Sequence, residues 1–168
     1  KHRWSKRYGG VGEDIGQTVA FDSGGNIAIG GSFTDSADFG SGRQFESRGL
    51  TDLFVARYSP DGDHLWSRRA GGDLEDRVYA VAIDSKDNVV VTGYFADAID
   101  VGGDAMLSAG QADIFVAKYA PTSEHQWSWR VGGKLDDLGR ALAIDGDDAI
   151  VLAGDFHDEI TLGGRDMT

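Results

Sequence analysis

Histidine and tryptophan recur at one fixed spacing, and that spacing could support binding chemistry. The pattern His-x-Trp occurs three times, and residues two apart on a β-strand share a face, so each imidazole would stand beside an indole. Such a pair could stack a sugar ring or ligate a metal ion, and a cation–π ladder could continue it along the strand. We favour a structural alternative, in which each indole covers a sheet edge and each imidazole is its polar neighbour. The candidate ligand-binding residues are Trp4, Trp66, Trp127, His64 and His125, with Lys6, Arg68 and Trp129 continuing the ladder.

Carboxylates form a second candidate set. Asp14, Asp76 and Asp137 return at intervals of 62 and 61 residues, and oxygen ligands of this kind suit Ca²⁺. These three are therefore the candidate metal ligands, and Ca²⁺ is the one cofactor that we consider, although no segment matches an EF-hand loop. We favour a structural role in which the three carboxylates accept hydrogen bonds from backbone N–H groups at turns. The arginines predicted to pair with them are Arg7, Arg69 and Arg130.

Catalytic motifs are missing from the sequence. It contains neither Gly-x-Ser-x-Gly nor His-Glu-x-x-His, and the absence of cysteine excludes thiol nucleophiles, zinc thiolates and disulfides. The glycine pairs, such as Gly71-Gly72, are followed by acidic residues and predict turns rather than a phosphate-binding loop. We therefore predict no catalytic residue and no enzyme activity. The residues that break the repeat and form no known constellation are His157, Trp129, Tyr94 and Arg48.

The whole chain is built from a repeat of about 61 residues. Trp4, Trp66 and Trp127 each begin the pattern W-S-x-R-x-G-G, and A-x-D, G-x-F and D-x-F-V-A-x-Y follow at matching distances. Large and small side chains alternate with period 2, which indicates strands rather than helices. In the second repeat we predict an innermost strand at 78–84, a second at 88–95 and a third at 114–119. The Trp-bearing strand, at 64–69 for the repeat before it, is predicted to lie outermost.

These strands predict an all-β fold, a β-propeller built from four-stranded antiparallel blades. The chain holds about 2.7 blades and hence an incomplete ring, which we expect a longer parent chain, or else other copies, to complete. A rival solenoid fold would have shorter, parallel repeats. The predicted segments are a lone outer strand at 4–8, blade 1 at 17–69, blade 2 at 78–131 and the first half of blade 3 at 139–168.

The quoted patterns resemble the bacterial seven-bladed β-propeller repeat (SBBP) family over essentially the whole chain. The resemblance implies a periplasmic, secreted or lipid-anchored surface protein, hence an extracytoplasmic location, and it implies no particular activity. The third repeat departs from the pattern at Ala149, where the others have Asn26 and Asn88, and 121–124 lacks the glycine of 60–62. We expect both of these turns to be less regular.

The net charge of −12, from 28 acidic and 16 basic residues, would repel a phosphate backbone. We therefore predict that nucleic acid is not a partner. No apolar run is long enough for a transmembrane segment. Acidic residues fall in loops expected on one face of the ring. We therefore predict a non-catalytic binding or scaffold module that presents an acidic loop face to a protein or polysaccharide partner. The alternatives are a carbohydrate-binding propeller lectin, and a fragment of a propeller enzyme whose active site lies outside this chain.

Overall fold

The computed structural model describes residues 2–162 and 165–167, which contain no helix and therefore none able to span a membrane. The described residues form fifteen strands: β1 (Gly9–Val11), β2 (Asp14–Phe21), β3 (Ile27–Phe33), β4 (Ser36–Asp38), β5 (Phe45–Glu46), β6 (Asp52–Tyr58), β7 (His64–Ala70), β8 (Asp76–Ile83), β9 (Val89–Ile99), β10 (Met106–Tyr119), β11 (His125–Val131), β12 (Leu138–Ile144), β13 (Ile150–Asp155), β14 (Ile160–Leu162) and β15 (Arg165–Met167).

The strands form blade-like antiparallel sheets, as the period of the sequence predicts. Two four-stranded sheets have the orders β2-β3-β6-β7 and β8-β9-β10-β11, so each blade follows chain order. In the third repeat β12 pairs with β13, and β14 pairs with β15. The all-β, four-stranded prediction is confirmed. The first sheet runs from Asp14 to Ala70 and the second from Asp76 to Val131. The predicted blades, at 17–69 and 78–131, are two or three residues shorter at their starts and end within one residue of these bounds. Of the predicted third segment, residues 163, 164 and 168 lie outside the described residues.

The first strands of the three repeats converge. β8 contacts both β2 and β12 along its length, and the Val81 N–H donates to Thr18 Oγ1 at 3.2 Å between blades. Small residues make this approach possible: Ala80 is buried, and a side chain in place of Gly30 would collide with Val78. β2, β8 and β12 are therefore the inner strands, and the tryptophan strands β7 and β11 lie at the opposite edge of their sheets.

The core lies between blades. Val81 of β8 packs with Val55 and Leu53 of blade 1, while Leu142 and Ile144 of β12 pack against blade 2. At the equivalent positions of blade 1, Val19 and Phe21 stay largely exposed, so each inner strand buries its large residues against the preceding blade. Burial of this kind stabilises by about 25 cal/mol per Å² of apolar surface.

The predicted lone strand at 4–8 needs correction, because residues 2–8 belong to none of the described strands. A strand is defined by hydrogen bonds to a neighbour, and no described strand pairs with this segment. It nevertheless covers the outer face of blade 1, where Trp4 and Tyr8 pack on the cluster that contains Phe39 and Tyr58. Tyr8 stacks on Tyr58 with ring centroids 4.8 Å apart.

The glycine pairs do more than form turns. Gly9-Gly10 begins β1, which pairs with β4 in the hairpin between the second and third strands of blade 1. A Cβ on Gly10 would collide with the Ser36 carbonyl oxygen, and Gly72 and Gly133 face hairpin carbonyls in the same way. The second glycine of each pair is therefore required by close backbone approach. These hairpins were not predicted, because their residues read as acidic loops.

The turns predicted to be irregular are regular, so that prediction was wrong. In the turn at Asp145 the N–H of Asp145 donates to the Ala149 carbonyl at 3.0 Å, as in the turns of the other two repeats. Ser123 adopts φ 78°, close to the 80° of Gly62, and keeps the same backbone hydrogen bonds. Backbone bonding, rather than the missing asparagine or glycine, determines the shape of both turns.

Hydrogen bonds join the turns of successive blades, and we call each of these contacts a Ser–Asp clasp. Ser23 donates through its N–H and hydroxyl to Asp87, both at 2.9 Å, and Ser85 donates in the same way to Asp148. Both acceptors have positive φ, where glycine would be less strained. In the first repeat, Gly25 stands where the later repeats have the acceptor aspartate. In the third repeat, Gly146 stands where the earlier repeats have the donor serine.

Candidate functional site

Two of the candidate tryptophans, Trp4 and Trp66, contact the blade that follows them in the chain. Trp66 is 9% exposed, and its Nε1–H donates to the Pro121 carbonyl of blade 2 at 2.9 Å. Trp4 donates to the Pro60 carbonyl of blade 1 at 2.9 Å. A buried indole with its donor occupied packs one blade on the next, and Trp66 presents little surface on which a sugar could stack.

The histidines do not share a face with the tryptophans, so that part of the prediction was wrong. A β-bulge pairs Tyr58 with His64 but Arg57 with Trp66, which places His64 and Trp66 on opposite sides of β7. His64 stands edge-on to Tyr58 at 6.0 Å, and its Nε2 lies 3.0 Å from Ser67 Oγ. The same bulge separates His125 from Trp127 in blade 2.

The predicted cation–π ladder does not form along one strand. The Arg68 guanidinium lies 5.0 Å from the ring of Tyr119 on the neighbouring blade. Lys6 is held 3.0 Å from Asp63, and Trp127 stacks on Trp129 at 4.6 Å. Arg68 therefore joins two blades, and Lys6 joins the segment 2–8 to blade 1, instead of building a ligand platform.

Asp14, Asp76 and Asp137 have the capping role that we favoured. Each carboxylate accepts a hydrogen bond from the N–H of the second glycine of its pair, at 2.9, 2.9 and 2.6 Å respectively. Their predicted arginine partners were wrong for the second and third repeats. Arg69 pairs with Asp52, and Arg130 pairs with Asp113, because the third strand lies beside the outer one.

Metal binding stays a prediction. Among the residues that the structure describes, no three His, Asp or Glu side chains come close enough together to hold an ion. Asp76 is fully buried, and burial raises its pKa from 3.8 to about 7, with a contribution from the charge of Asp52. A carboxyl group in this state is a poor ligand for a cation below neutral pH.

A cleft of about 770 Å³ opens where the loops of the three repeats meet, and we call it the loop-face cleft. Its volume is that of a small-molecule or side-chain binding site. The 4-to-1 loops, which join an outer strand to the next inner one, adjoin the hairpins here, as the bridge from Thr51 to Glu75 shows. The lining residues are Leu50, Leu74, Glu75, Tyr79, Tyr94, Ala96, Asp97, Ser108, Ala109, Gly110, Gln111, Ala112, Asp136 and Leu138.

One wall of the cleft is a tyrosine–carboxylate cluster. The Tyr94 hydroxyl donates to Glu75 Oε2 at 3.0 Å, and the Tyr79 ring lies 5.6 Å from that of Tyr94. Burial first, and then the hydrogen bond to Glu75, raise the pKa of Tyr94, so the phenol stays a donor. Two cations adjoin this cluster, because the Arg140 guanidinium lies over Tyr79 at 4.8 Å and Arg77 approaches Glu75 at 3.8 Å.

The cleft is built where the repeat is broken. Tyr79 stands at the position of Gln17 in the first repeat and Arg140 in the third, and Tyr94 stands at that of Ser32 and Asp155. Sequence reasoning identified Tyr94 and placed Glu75 among the acidic loop residues, but it missed Tyr79, which aligning the repeats would have shown.

The other repeat-breaking residues are dispersed. His157 Nδ1 lies 2.6 Å from the carbonyl of Asp136, at the border of the loop-face cleft. Arg48 lines a second cavity, of about 380 Å³, and Trp129, 60% exposed, lies on the outer strand β11. The structure therefore brings two of the four to one region.

The lining combines leucines, tyrosines and three carboxylates. Within the described residues, no lysine, arginine or histidine contributes to it. Leu50 is 61% exposed and Leu74 is 44% exposed, and Asp97 is exposed. Such a surface can bind an apolar group beside a positively charged one.

Comparison with known proteins gives distant relatives. No protein-family model matches the chain, so the resemblance to the SBBP family is not confirmed. The chain is 24% identical over 156 residues to an uncharacterized WD repeat-containing protein of Acanthamoeba polyphaga mimivirus, covering 74% of this chain and 11% of the relative. It is 27% identical over 157 residues to the regulatory protein FlaEY of Caulobacter vibrioides, covering 88% of this chain and 16% of that protein.

This chain thus spans a small part of the curated relatives that it matches. Together with the all-β sheets, the similarity to a WD repeat-containing protein fits a propeller-like repeat fold that acts as a binding or scaffold module.

Proposed function

We propose that the chain is a non-catalytic binding module that presents an acidic loop face, centred on the loop-face cleft, to a protein or polymer partner. The observation that carries the proposal is the cleft itself, whose walls come from three repeats and include the repeat-breaking tyrosines. A site made by residues that differ between repeats is specific to one place on the molecule. The similarity to a WD repeat-containing protein supports protein binding.

Exposed leucines support a macromolecular partner. Leu50 and Leu74 stand at the rim of the cleft, and Leu107 and Leu135 are exposed on the neighbouring hairpin and loop. Apolar side chains among carboxylates are typical of a protein-binding surface rather than of a plain solvated face.

Peptide selection tests the proposal. A displayed library of random peptides is panned against the chain. The affinity of each selected peptide is then measured for the unaltered chain and for the double variant Leu50→Ser with Leu74→Ser, which alters the cleft rim. We expect binding to fall at least tenfold with this double variant. The matched control is Leu65→Ser, since Leu65 is 49% exposed on the outer strand β7.

Two outcomes would contradict the proposal: no peptide is enriched, or the selected peptides bind the rim variant as tightly as the unaltered chain. A glycan array with the same variants tests the lectin alternative. The extracytoplasmic location stays a prediction that fractionation of the source cell would check.

A further inference from the structure

We infer that the loop-face cleft recognises a positively charged side chain, an arginine or lysine flanked by apolar residues in an extended segment of the partner. This rests on the proposed function and names the partner chemistry of the same site.

Charge is the first argument. Glu75, Asp97 and Asp136 line one cleft and come from the 4-to-1 loop before blade 2, the strand β9 of blade 2 and the loop before blade 3. Among the described residues no lysine, arginine or histidine lines the cleft, although Arg77 and Arg140 adjoin its wall, and the whole chain carries a net charge of −12. A field of this sign attracts cations and raises their association rate.

The positions of the carboxylates are the second argument. Tyr94 occupies Oε2 of Glu75, and the nearest cation, Arg77, is 3.8 Å from Oε1, beyond hydrogen-bond distance. Oε1 can therefore accept from an incoming guanidinium or ammonium group. Asp97 has φ 65° and is exposed, and it lies in β9 opposite the register shift of β10, at the base of the hairpin.

The aromatic wall is the third argument. The Arg140 guanidinium over the Tyr79 ring at 4.8 Å is an example, within this chain, of a planar cation bound by this aromatic wall. Leu50, Leu74 and Leu138 would contact the aliphatic stem of an arginine or lysine. A sugar would gain little from three leucines, so the lining favours a cationic peptide over an oligosaccharide.

The test uses a short fluorescent peptide with arginines between leucines, and the same peptide with citrulline, which keeps the shape of arginine without its charge. We expect the citrulline peptide to bind about tenfold more weakly, and affinity for the arginine peptide to fall as salt rises.

Matched variants locate the binding. We expect Glu75→Gln with Asp97→Asn to weaken arginine-peptide binding about tenfold. Glu13→Gln with Asp35→Asn removes the same two charges from the equivalent first-repeat positions, where Asp35 also has positive φ, and should change affinity less than twofold. Thermal melts of both double variants establish that each is folded.

The inference is overturned if neither peptide binds, if citrulline binds equally, or if both double variants lose the same affinity. Binding of labelled oligosaccharides alone would also overturn it. If the random library yields cleft-binding peptides that lack basic residues, this inference fails while the proposed function stands.

Discussion

The first and second blades share a backbone down to its irregularities, yet they carry different side chains at the loop face. The bulge between Gly16 and Thr18 in β2 returns between Val78 and Ala80 in β8, and the outer strands are bulged alike. Gln17 and Ser32 in blade 1 are replaced by Tyr79 and Tyr94 in blade 2. The shared residues determine the sheet, and the residues that differ make the cleft.

We expect the largest difference in unfolding free energy between the repeats at their tryptophans. Trp66→Ala empties a buried position between blades 1 and 2, and we expect it to lower the free energy of unfolding by about 3–5 kcal/mol. Trp127→Ala removes a half-buried ring stacked on Trp129 and should cost about 1–2 kcal/mol. Denaturant titration measures both, and equal losses would contradict the inter-blade role.

Arg57 and its counterpart Lys118 allow a finer comparison. Arg57 is buried, pairs with Asp22 and reaches the Asp87 carbonyl of blade 2 at 3.2 Å, whereas Lys118 pairs with Asp84 of its own blade. We expect Arg57→Met to cost about 3 kcal/mol, because it leaves a buried carboxylate without its partner. Lys118→Met should cost about 1 kcal/mol less, since it breaks no bond between blades. The reverse order of unfolding midpoints would show that the inter-blade bond contributes nothing.

Asp76 should make stability depend on pH. Its pKa is raised in the fold, so the native state binds more protons than the unfolded chain between pH 3.8 and about 7. The contribution of the Asp76 carboxyl group to the free energy of unfolding is fully present below pH 3.8 and is lost as the pH rises through about 7.

Relative to Asp76→Asn, the unaltered chain should lose about 2 kcal/mol of unfolding free energy between about pH 5 and 7. Unfolding curves at several pH values measure this difference. Asp14→Asn is the control, because Asp14 caps the equivalent turn of the first repeat but is exposed. Parallel pH profiles for the unaltered chain and Asp76→Asn would refute the expectation.

The smallest effect concerns the Ser–Asp clasp. Ser23→Ala removes one exposed hydrogen bond to Asp87, and we expect a loss of about 0.5 kcal/mol in thermal or chemical unfolding. Gly146→Ser adds a hydroxyl at the equivalent position of the third repeat, where a Cβ meets open space, and should leave stability unchanged. A stabilising Gly146→Ser would mean that the hydroxyl acts within its own turn.

The sequence predicted the strand order well, because alternation of large and small residues and the turn dipeptides are local signals. It could not predict which face each outer-strand residue takes, since one extra residue at Leu65 reverses the alternation between His64 and Trp66. It also missed the hairpins at 36–46 and 98–107, whose pairing depends on the adjoining glycine pair.

The candidate site was harder to predict than the sheets. Tyr94 was recognised as a repeat-breaking residue, but its partners Glu75 and Tyr79 read as an ordinary acidic loop and an ordinary strand residue. Only the meeting of three repeats in space brings them together with Leu50 and Asp136. The predicted pairing of Asp76 with Arg69 was wrong for a similar reason, because Arg69 faces Asp52 across the sheet.

The clasp between turns gives the repeats a polarity that their shared backbone lacks. The hydroxyl always belongs to the earlier repeat and the carboxylate to the later one, while Gly25 and Gly146 supply neither group. Gene rearrangement that moved the third repeat ahead of the first would therefore join two glycines, and that junction would lack the bond. The Ser–Asp bonds between the turns therefore depend on the order of the repeats along the chain, although the repeats share one backbone structure.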